Sequence, residues 1–272
     1  SAQCLITFIS TKERISPPAT QQTPVWQDLK DLSQNNPWKV LFVLALIIMM
    51  TISLRGSTGT FYFKYYVERP DLIGSFAMVY MIALAVGAAS TPLLTKFIDK
   101  RRLLMILMSI VAGLSLIFYF VPKENITLMF VLQIMIGLAL GPKSPLVFSM
   151  YADTADFSQW RTGRRATAMI FSAAAFSQKL GGAIAGAMIG WLLASLGYAA
   201  NQVQSDASQA GIVLLMTLIP AIFAAIAVPL IYFYSLDEKK LAKLQGELLQ
   251  TSLQEESIKP EGPVNTAGAA NA

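Results

Sequence analysis

The stretch FSAAAFSQKLGGAIAGAMIGWLL, Phe171–Leu193, decides how the rest of the chain is read. It is apolar over a length that spans a bilayer core, which takes about 20 helical residues. Yet it carries one charge, Lys179. At ~100° per residue, Gly182, Gly186 and Gly190 fall on the same side of a helix as Lys179. Ala175 and Ser172 extend that side. Small-residue ridges pack against other helices rather than lipid. The spacing therefore predicts that Gly182, Gly186 and Gly190 are helix-packing residues and that Lys179 points into a bundle. The alternative is snorkelling, with the ammonium reaching the interface. Lys179 sits about seven residues, or ~10 Å, inside the core, farther than its stem extends.

Working outward, five more segments have membrane length: Trp38–Phe63, Gly74–Leu94, Leu103–Val121, Ile126–Met150 and Ala210–Tyr234, with the quoted stretch inside a segment Ala166–Leu196. The chain of 272 residues is 54% hydrophobic and 14% charged, well below the ~25% charged of a soluble chain. It has no histidine and one cysteine, Cys4, so no disulfide closes within it. No His cluster, CxxC, GxSxG or Walker loop is present, which leaves a channel, transporter or scaffold ahead of an enzyme. Of the 21 lysines and arginines, fifteen lie in alternate loops and the tail, three on the opposite side and three inside the spans. By the positive-inside rule both termini face the cytoplasm. The net charge of +5 thus answers to a lipid bilayer and not to nucleic acid. The predicted organisation is the end of a preceding membrane helix over 1–9, a cytoplasmic linker over 10–37 and a six-helix membrane bundle over 38–235. A cytoplasmic amphipathic helix over 236–256 and a disordered tail over 257–272 follow.

The three cations inside the spans are Arg55, Lys143 and Lys179. Intramembrane ionisable groups read as functional by default. Thr51, Arg55, Thr58, Tyr62 and Tyr66 recur at helical spacing and form a polar, aromatic stripe. Hydrogen-bond donors beside ring faces suit a sugar; a tyrosine belt at the interface is the other reading. Lys143 lies in LGPKSPL, where Gly141, Pro142 and Pro145 free backbone carbonyls and break the helix, as at transporter sites. At YADTADFSQWRTGRR, Asp153 and Asp156 share a helix face, and Arg161, Arg164 and Arg165 follow. Acids facing bases at a helix end suit a cytoplasmic gate; a solvated basic loop is the alternative.

The run YADTADFSQWRTGRRATAMIFSAAAFSQKLGGAIAGAMIGWLLASLGY, with FYFKYYV and NNPWKVLFVLAL, resembles the glycoside–pentoside–hexuronide:cation symporters. KFIDKRR is similar to the charged loop motif of the major facilitator superfamily. The resemblance covers about residues 33–250. It implies twelve spans in two halves, this chain corresponding to the C-terminal half, with sugar and cation bound between the halves. It implies that Lys179 links the two sites, and that Asp153, Asp156 and Arg165 form the cytoplasmic cluster coupling the halves. The main ligands of the co-transported Na+ or H+ are implied in the N-terminal six-helix half, and no bound cofactor is expected. Ser144 stands near a tryptophan of the family's best-known sugar carrier, a departure from a neutral-galactoside pattern.

The expectation is therefore an all-α integral membrane protein of a bacterial inner membrane, the six-helix C-terminal half of a sugar:cation symporter. Its expected partners are a small sugar or glycoside, a monovalent cation and the N-terminal half. Lys179, Arg55, Lys143, Tyr62 and Thr58 are the candidate substrate and coupling residues, and Asp153, Asp156, Arg161 and Arg165 the candidate gate. With Arg55 and Lys143 as extra cations, an anionic sugar is expected, unless they pair with acids of the other half. The alternative function is a non-transporting half acting as a membrane partner or regulator.

Overall fold

A computed structural model describes residue 30, residues 32–163 and residues 167–258, with side chains to residue 250. The segment expected over 1–9, most of the linker, Arg164, Arg165 and the end of the tail lie outside the described residues. Among those described, every regular element is helical.

Helix α1 (Asn36–Phe61) starts where the Asn35 side chain accepts from Trp38 N at 3.1 Å, with Pro37 in the first turn. It widens into a π turn over Tyr62–Tyr66. A short 3-10 turn, Pro70–Leu72, leads into α2 (Ile73–Leu94). Asp99 caps α3 (Lys100–Tyr119) and Asn125 caps α4 (Ile126–Leu140). Helix α5 (Lys143–Thr162) follows Pro142 and ends at Gly163, whose φ of 69° is left-handed. Helix α6 spans Thr167–Ser195. Ser205 caps α7 (Asp206–Met216), and α8 (Leu218–Tyr232) follows after the single residue Thr217. Helix α9 (Glu238–Ile258) closes the described chain.

Two of the expected spans are therefore broken. Proline has no N–H and strips the carbonyl four residues before it of its partner. Pro142 does this to Leu138, between α4 and α5. Pro220 does it to Met216, and Thr217 takes a non-helical conformation there (φ −123°, ψ −72°).

Five stretches are long and apolar enough to cross a membrane: Asn36–Tyr66, Pro70–Leu94, Lys100–Tyr119, Ile126–Thr162 and Asp206–Tyr232. The expected sixth, α6, has the length at 29 residues but is not among them. Gln178, Lys179 and four glycines dilute its apolar character.

The packing runs α6 on α1, α1 on α8, α8 on α3, α3 on α4 and α4 on α2. Leu41, Leu44, Ile48 and Leu54 of α1 meet Leu104, Met108 and Val111 of α3 and Ala224, Ala227 and Ile231 of α8 in one buried core. The tightest crossing is glycine-built. A methyl at Gly137 would lie 2.7 Å from Ala83 Cβ, and one at Gly87 would strike the Leu138 carbonyl that Pro142 leaves unpaired. Gly141 abuts the α2 backbone in the same way.

The expected ridge of Gly182, Gly186 and Gly190 is corrected here. The packing glycine of α6 is Gly181, where a Cβ would meet Leu46 O at 2.5 Å. Ser177 Oγ donates to Phe42 O at 2.6 Å on the same side. Gly182 has Ser53 Oγ at 3.6 Å from its would-be Cβ, while Gly186 and Gly190 meet nothing within 4 Å. The buried face of α6 is Ile170, Ala174, Ser177, Gly181, Ala185, Ile189 and Leu193, and the glycine ridge lies beside it.

A Gly87→Leu substitution should lower the stability of purified protein by about 1–3 kcal/mol or prevent assembly, because backbone cannot give way as a side chain can. Gly113→Leu, in open space, should leave it unchanged. Thermal unfolding in detergent reads the difference.

Candidate substrate face and the buried arginine

Arg55 is 1% exposed, the largest fully buried side chain. Its Nε and Nη2 donate to Gln133 Oε1 at 3.1 and 2.9 Å. Its Nη1 donates to Ser115 Oγ at 3.2 Å and to Met216 O at 3.4 Å. The guanidinium also lies 5.3 Å from the Phe118 ring centroid. Arg55 thus ties α1 to α3, α4 and α7, and it takes up the carbonyl that Pro220 orphans.

This corrects the reading of the Thr51–Arg55–Thr58–Tyr62 stripe. Thr51, Thr58 and Tyr62 are all buried, and the Tyr62 ring packs on Phe63, Tyr66 and Phe118. The stripe faces the interior of the helix bundle and not an open surface. Arg55 is satisfied by amide, hydroxyl and carbonyl oxygens of its own chain, so neither a sugar nor an acid from elsewhere is its partner.

The open side of α1 is the opposite one. Ser57 and Thr60 are exposed, Ser53 half-buried, and Gly56 is exposed between them. Ser53 reaches α6 at Gly182. Along α6, Ser172, Ala175, Phe176, Lys179, Ala183, Gly186 and Gly190 are exposed. Lys179 therefore stands on an open face of small and polar residues, beside the buried face of α6. The small polar residues at 53, 57 and 60 were the signal for this face in the sequence. They were outweighed by the larger donors two positions away, on the other side of the helix.

Lys143 is half-buried at the start of α5. It lines a niche of about 30 Å³ with Ser144 and Phe148 of α5, Met49 of α1 and Gln178 of α6.

At the far end of α5 the acids are engaged within this chain. Asp153 is 8% exposed and pairs with Lys100 Nζ at 2.8 Å. Asp156 accepts from Gln245 Nε2 of α9 at 3.1 Å. Arg161 donates to Gln34 O at 2.8 Å. Trp160 Nε1 donates to Glu247 at 2.7 Å, which docks α9 against the end of α5. Arg101 donates to Ile231 O and Tyr232 O and covers the Tyr232 ring. It thereby caps the last carbonyls of α8. KFIDKRR is thus a strap across helix ends: Asp99 caps α3, Lys100 holds α5 and Arg101 holds α8.

Residues 2–238 match the family model described as MFS/sugar transport protein. The chain is 32% identical over 245 residues to the inner membrane symporter YicJ of Escherichia coli (strain K12), covering 89% of this chain and 53% of YicJ. It is 28% identical over 255 residues to the isoprimeverose transporter of Lactiplantibacillus pentosus, at 93% and 53% coverage. It also matches a 29.9 kDa protein from the crtE 3' region of Pseudescherichia vulneris, 28% identical over 209 residues, 74% of this chain and 76% of that one. The chain spans about half the length of YicJ and of the isoprimeverose transporter. The family description and these two names are those of membrane transporters, not enzymes.

Replacing Arg55 with Met should leave the buried Gln133 and Ser115 unpartnered, at about 1–3 kcal/mol for each. Adding Gln133→Leu should recover part of that loss. The melting temperatures of the two single variants and the double variant give the coupling, which should be non-zero and stabilising.

Proposed function

The chain belongs to the MFS/sugar transport protein family, and from that premise we propose that it serves as the C-terminal half of a sugar:cation symporter working by alternating access. One observation carries this reading beyond the family match. The open face shared by α1 and α6 bears hydroxyls, small residues and Lys179 at mid-span. Lipid does not favour such a surface, whereas a second half across a water-filled path does.

In this mechanism the second half, as in relatives about twice as long, supplies most of the carboxylates that hold Na+ or H+. The cation neutralises them and releases Lys179 from their field. Lys179 then donates to a sugar hydroxyl on the open face, with Ser53, Ser57 and Thr60 of α1 nearby. Cation and sugar must raise each other's affinity, typically by about 1–3 kcal/mol. The loaded halves rock about the site, and the end carrying Asp153, Asp156 and α9 opens to the cytoplasm. Both termini lie on that side, in a bacterial inner membrane. The Lys100–Asp153 pair belongs wholly to this half and stays closed as the gate opens; in this mechanism Arg161 and Arg165 are the residues that exchange partners.

A second reading is a non-transporting half that acts as a membrane partner or regulator. The 29.9 kDa relative, shorter than the two transporters, is a precedent for a chain of half length.

The two readings separate in membrane vesicles prepared from cells expressing the complete reading frame. The symporter should accumulate a glycoside against its gradient when a Na+ or proton gradient is imposed. Lys179→Ala should abolish accumulation; uphill uptake by that variant would remove Lys179 from the coupling path. Absence of any gradient-driven uptake by the unaltered protein would favour the regulator.

A further inference from the structure

The exposed side chains of α6 are small, polar or charged, with two exceptions among the described residues, Phe176 and Trp191. A helix that faces lipid looks different: α2 exposes Met78, Met81, Ile82 and Val86. Phe176 is 59% exposed and lies three residues before Lys179, about 60° from it around the helix. The ring therefore stands on the open face, where small residues are otherwise the rule. Phe148 is its neighbour in kind on α5. Ser144, Pro145 and Phe148 are exposed on one side of that helix, and Phe148 is 49% exposed.

Both rings are braced from behind. Phe148 stacks on Phe171 of α6 at 6.1 Å and 19°, and the buried Tyr151 ring stands edge-on to both. Phe176 stacks on Phe42 of α1 at 6.5 Å and 26°, and Phe42 packs in turn on Trp38 at 5.3 Å. An apolar ring held in place with a wet face is unfavourable until something apolar covers it. The two rings also share a level. Both lie between Lys179 and the end of the bundle that carries Asp153 and Asp156. Phe148 precedes Asp153 by five residues, ~7.5 Å along the helix. The acids at that end already have partners inside this half, Asp153 in Lys100 and Asp156 in Gln245. Closing a path to water and cations calls for a different element, and an apolar constriction provides it by dewetting.

We propose that Phe148 and Phe176 form the inner seal of the transport path, closed when apolar side chains of the second half seat on the two rings and open when the halves rock apart. The inference rests on the symporter reading and gives the partner of this part of the open face a chemistry: leucine, methionine or aromatic side chains, not acids. Lys179 lies on the outer side of the seal. Sugar and cation held at its level stay out of the cytoplasm until the rings are uncovered. The bracing by α1 and α6 keeps the rings in register with the surface that meets them. In the closed state each ring loses its wet face, so removing one phenyl shifts the closed-to-open balance roughly tenfold or more.

Membrane vesicles containing the complete protein test this in two assays, with protein amounts matched by immunoblot. One follows the decay of an imposed Na+ or proton gradient with no sugar present. The other follows accumulation and exchange of methyl β-glucoside, methyl β-xyloside and methyl β-glucuronide. The double variant Phe148→Ala with Phe176→Ala should speed the gradient's decay and cut uphill accumulation, each roughly tenfold, while exchange across the membrane persists. Phe148→Leu with Phe176→Leu, apolar and nearly as large, should restore both. Met81→Ala, on an exposed apolar face of α2, should change neither. Unaltered decay and accumulation in the alanine pair would overturn the inference and leave the symporter reading standing. A raised KM for sugar with no faster decay would make the rings a stacking surface for the sugar and overturn it too. Equal loss of accumulation and exchange in the alanine and leucine pairs alike would assign the rings to folding, with the same result. Failure of the unaltered protein to accumulate any of the three probes would overturn the symporter reading, and the inference with it.

Discussion

A guanidinium enclosed by apolar helices must be fully answered by hydrogen bonds or the bundle does not form. Arg55 meets that demand without a carboxylate. One glutamine oxygen takes two of its donors, a serine and a backbone carbonyl take two more, and the guanidinium lies over the Phe118 ring. The arrangement fixes four helical segments at one point. It requires α4 to present Gln133, α3 to present Ser115, and the last span to be broken so that the Met216 carbonyl is available. The proline at 220, the bend at Thr217 and the charge in α1 are parts of one device. Much of the core's register follows from it, since α1 cannot rotate without pulling Arg55 from its partners.

The spans were legible because length and apolarity suffice for them, and each of the six expected segments holds a long helix or pair of helices. Which way each helix turns was not legible. A membrane helix is apolar on the lipid side and on the core side, so periodicity gives only a weak sense of inside and outside. Two polar sides competed on α1. The larger one, with Arg55, Thr58 and Tyr62, was read as substrate-facing, and it is the buried one. The smaller one, with Ser53, Ser57 and Thr60, is open. On α6 the glycines at 182, 186 and 190 outnumbered Gly181, yet only Gly181 meets a neighbouring backbone. Counting small residues finds a helix that is approached closely but not the residue at the crossing. The α2–α4 crossing leaves no motif in the sequence, because its glycines, at 87, 137 and 141, lie on different segments.

The charged loop tells a similar story at the helix ends. It resembles a superfamily motif, and the spacing alone sets Asp153 and Asp156 with the arginines that follow them as one acid–base cluster. The partner of Asp153 is instead Lys100, 53 residues earlier. Lysine and aspartate meet there because the first turn of α3 lies against the middle of α5, a fact of topology that local spacing does not encode. Asp99, Lys100 and Arg101 each serve a different helix, which gives three adjacent charged residues three separate tasks. Helix α9, amphipathic in sequence, is held at the same end through Trp160 and Asp156.

The discontinuity at Thr217 has a mechanical side. A continuous helix resists flexure because bending lengthens the hydrogen bonds on its convex flank. At this joint the bond that would resist is already surrendered to a side chain of α1. The outer and inner pieces of the last span behave as two levers on a shared pivot, and the pivot is anchored to a neighbour and not to either lever. Force applied to α7 is carried through Arg55 into α1, which hands it on to both α6 and α8, the helices packed against it. The joint thus lets the outer piece of the last span change its tilt while the inner piece keeps its seat on α1 and α3.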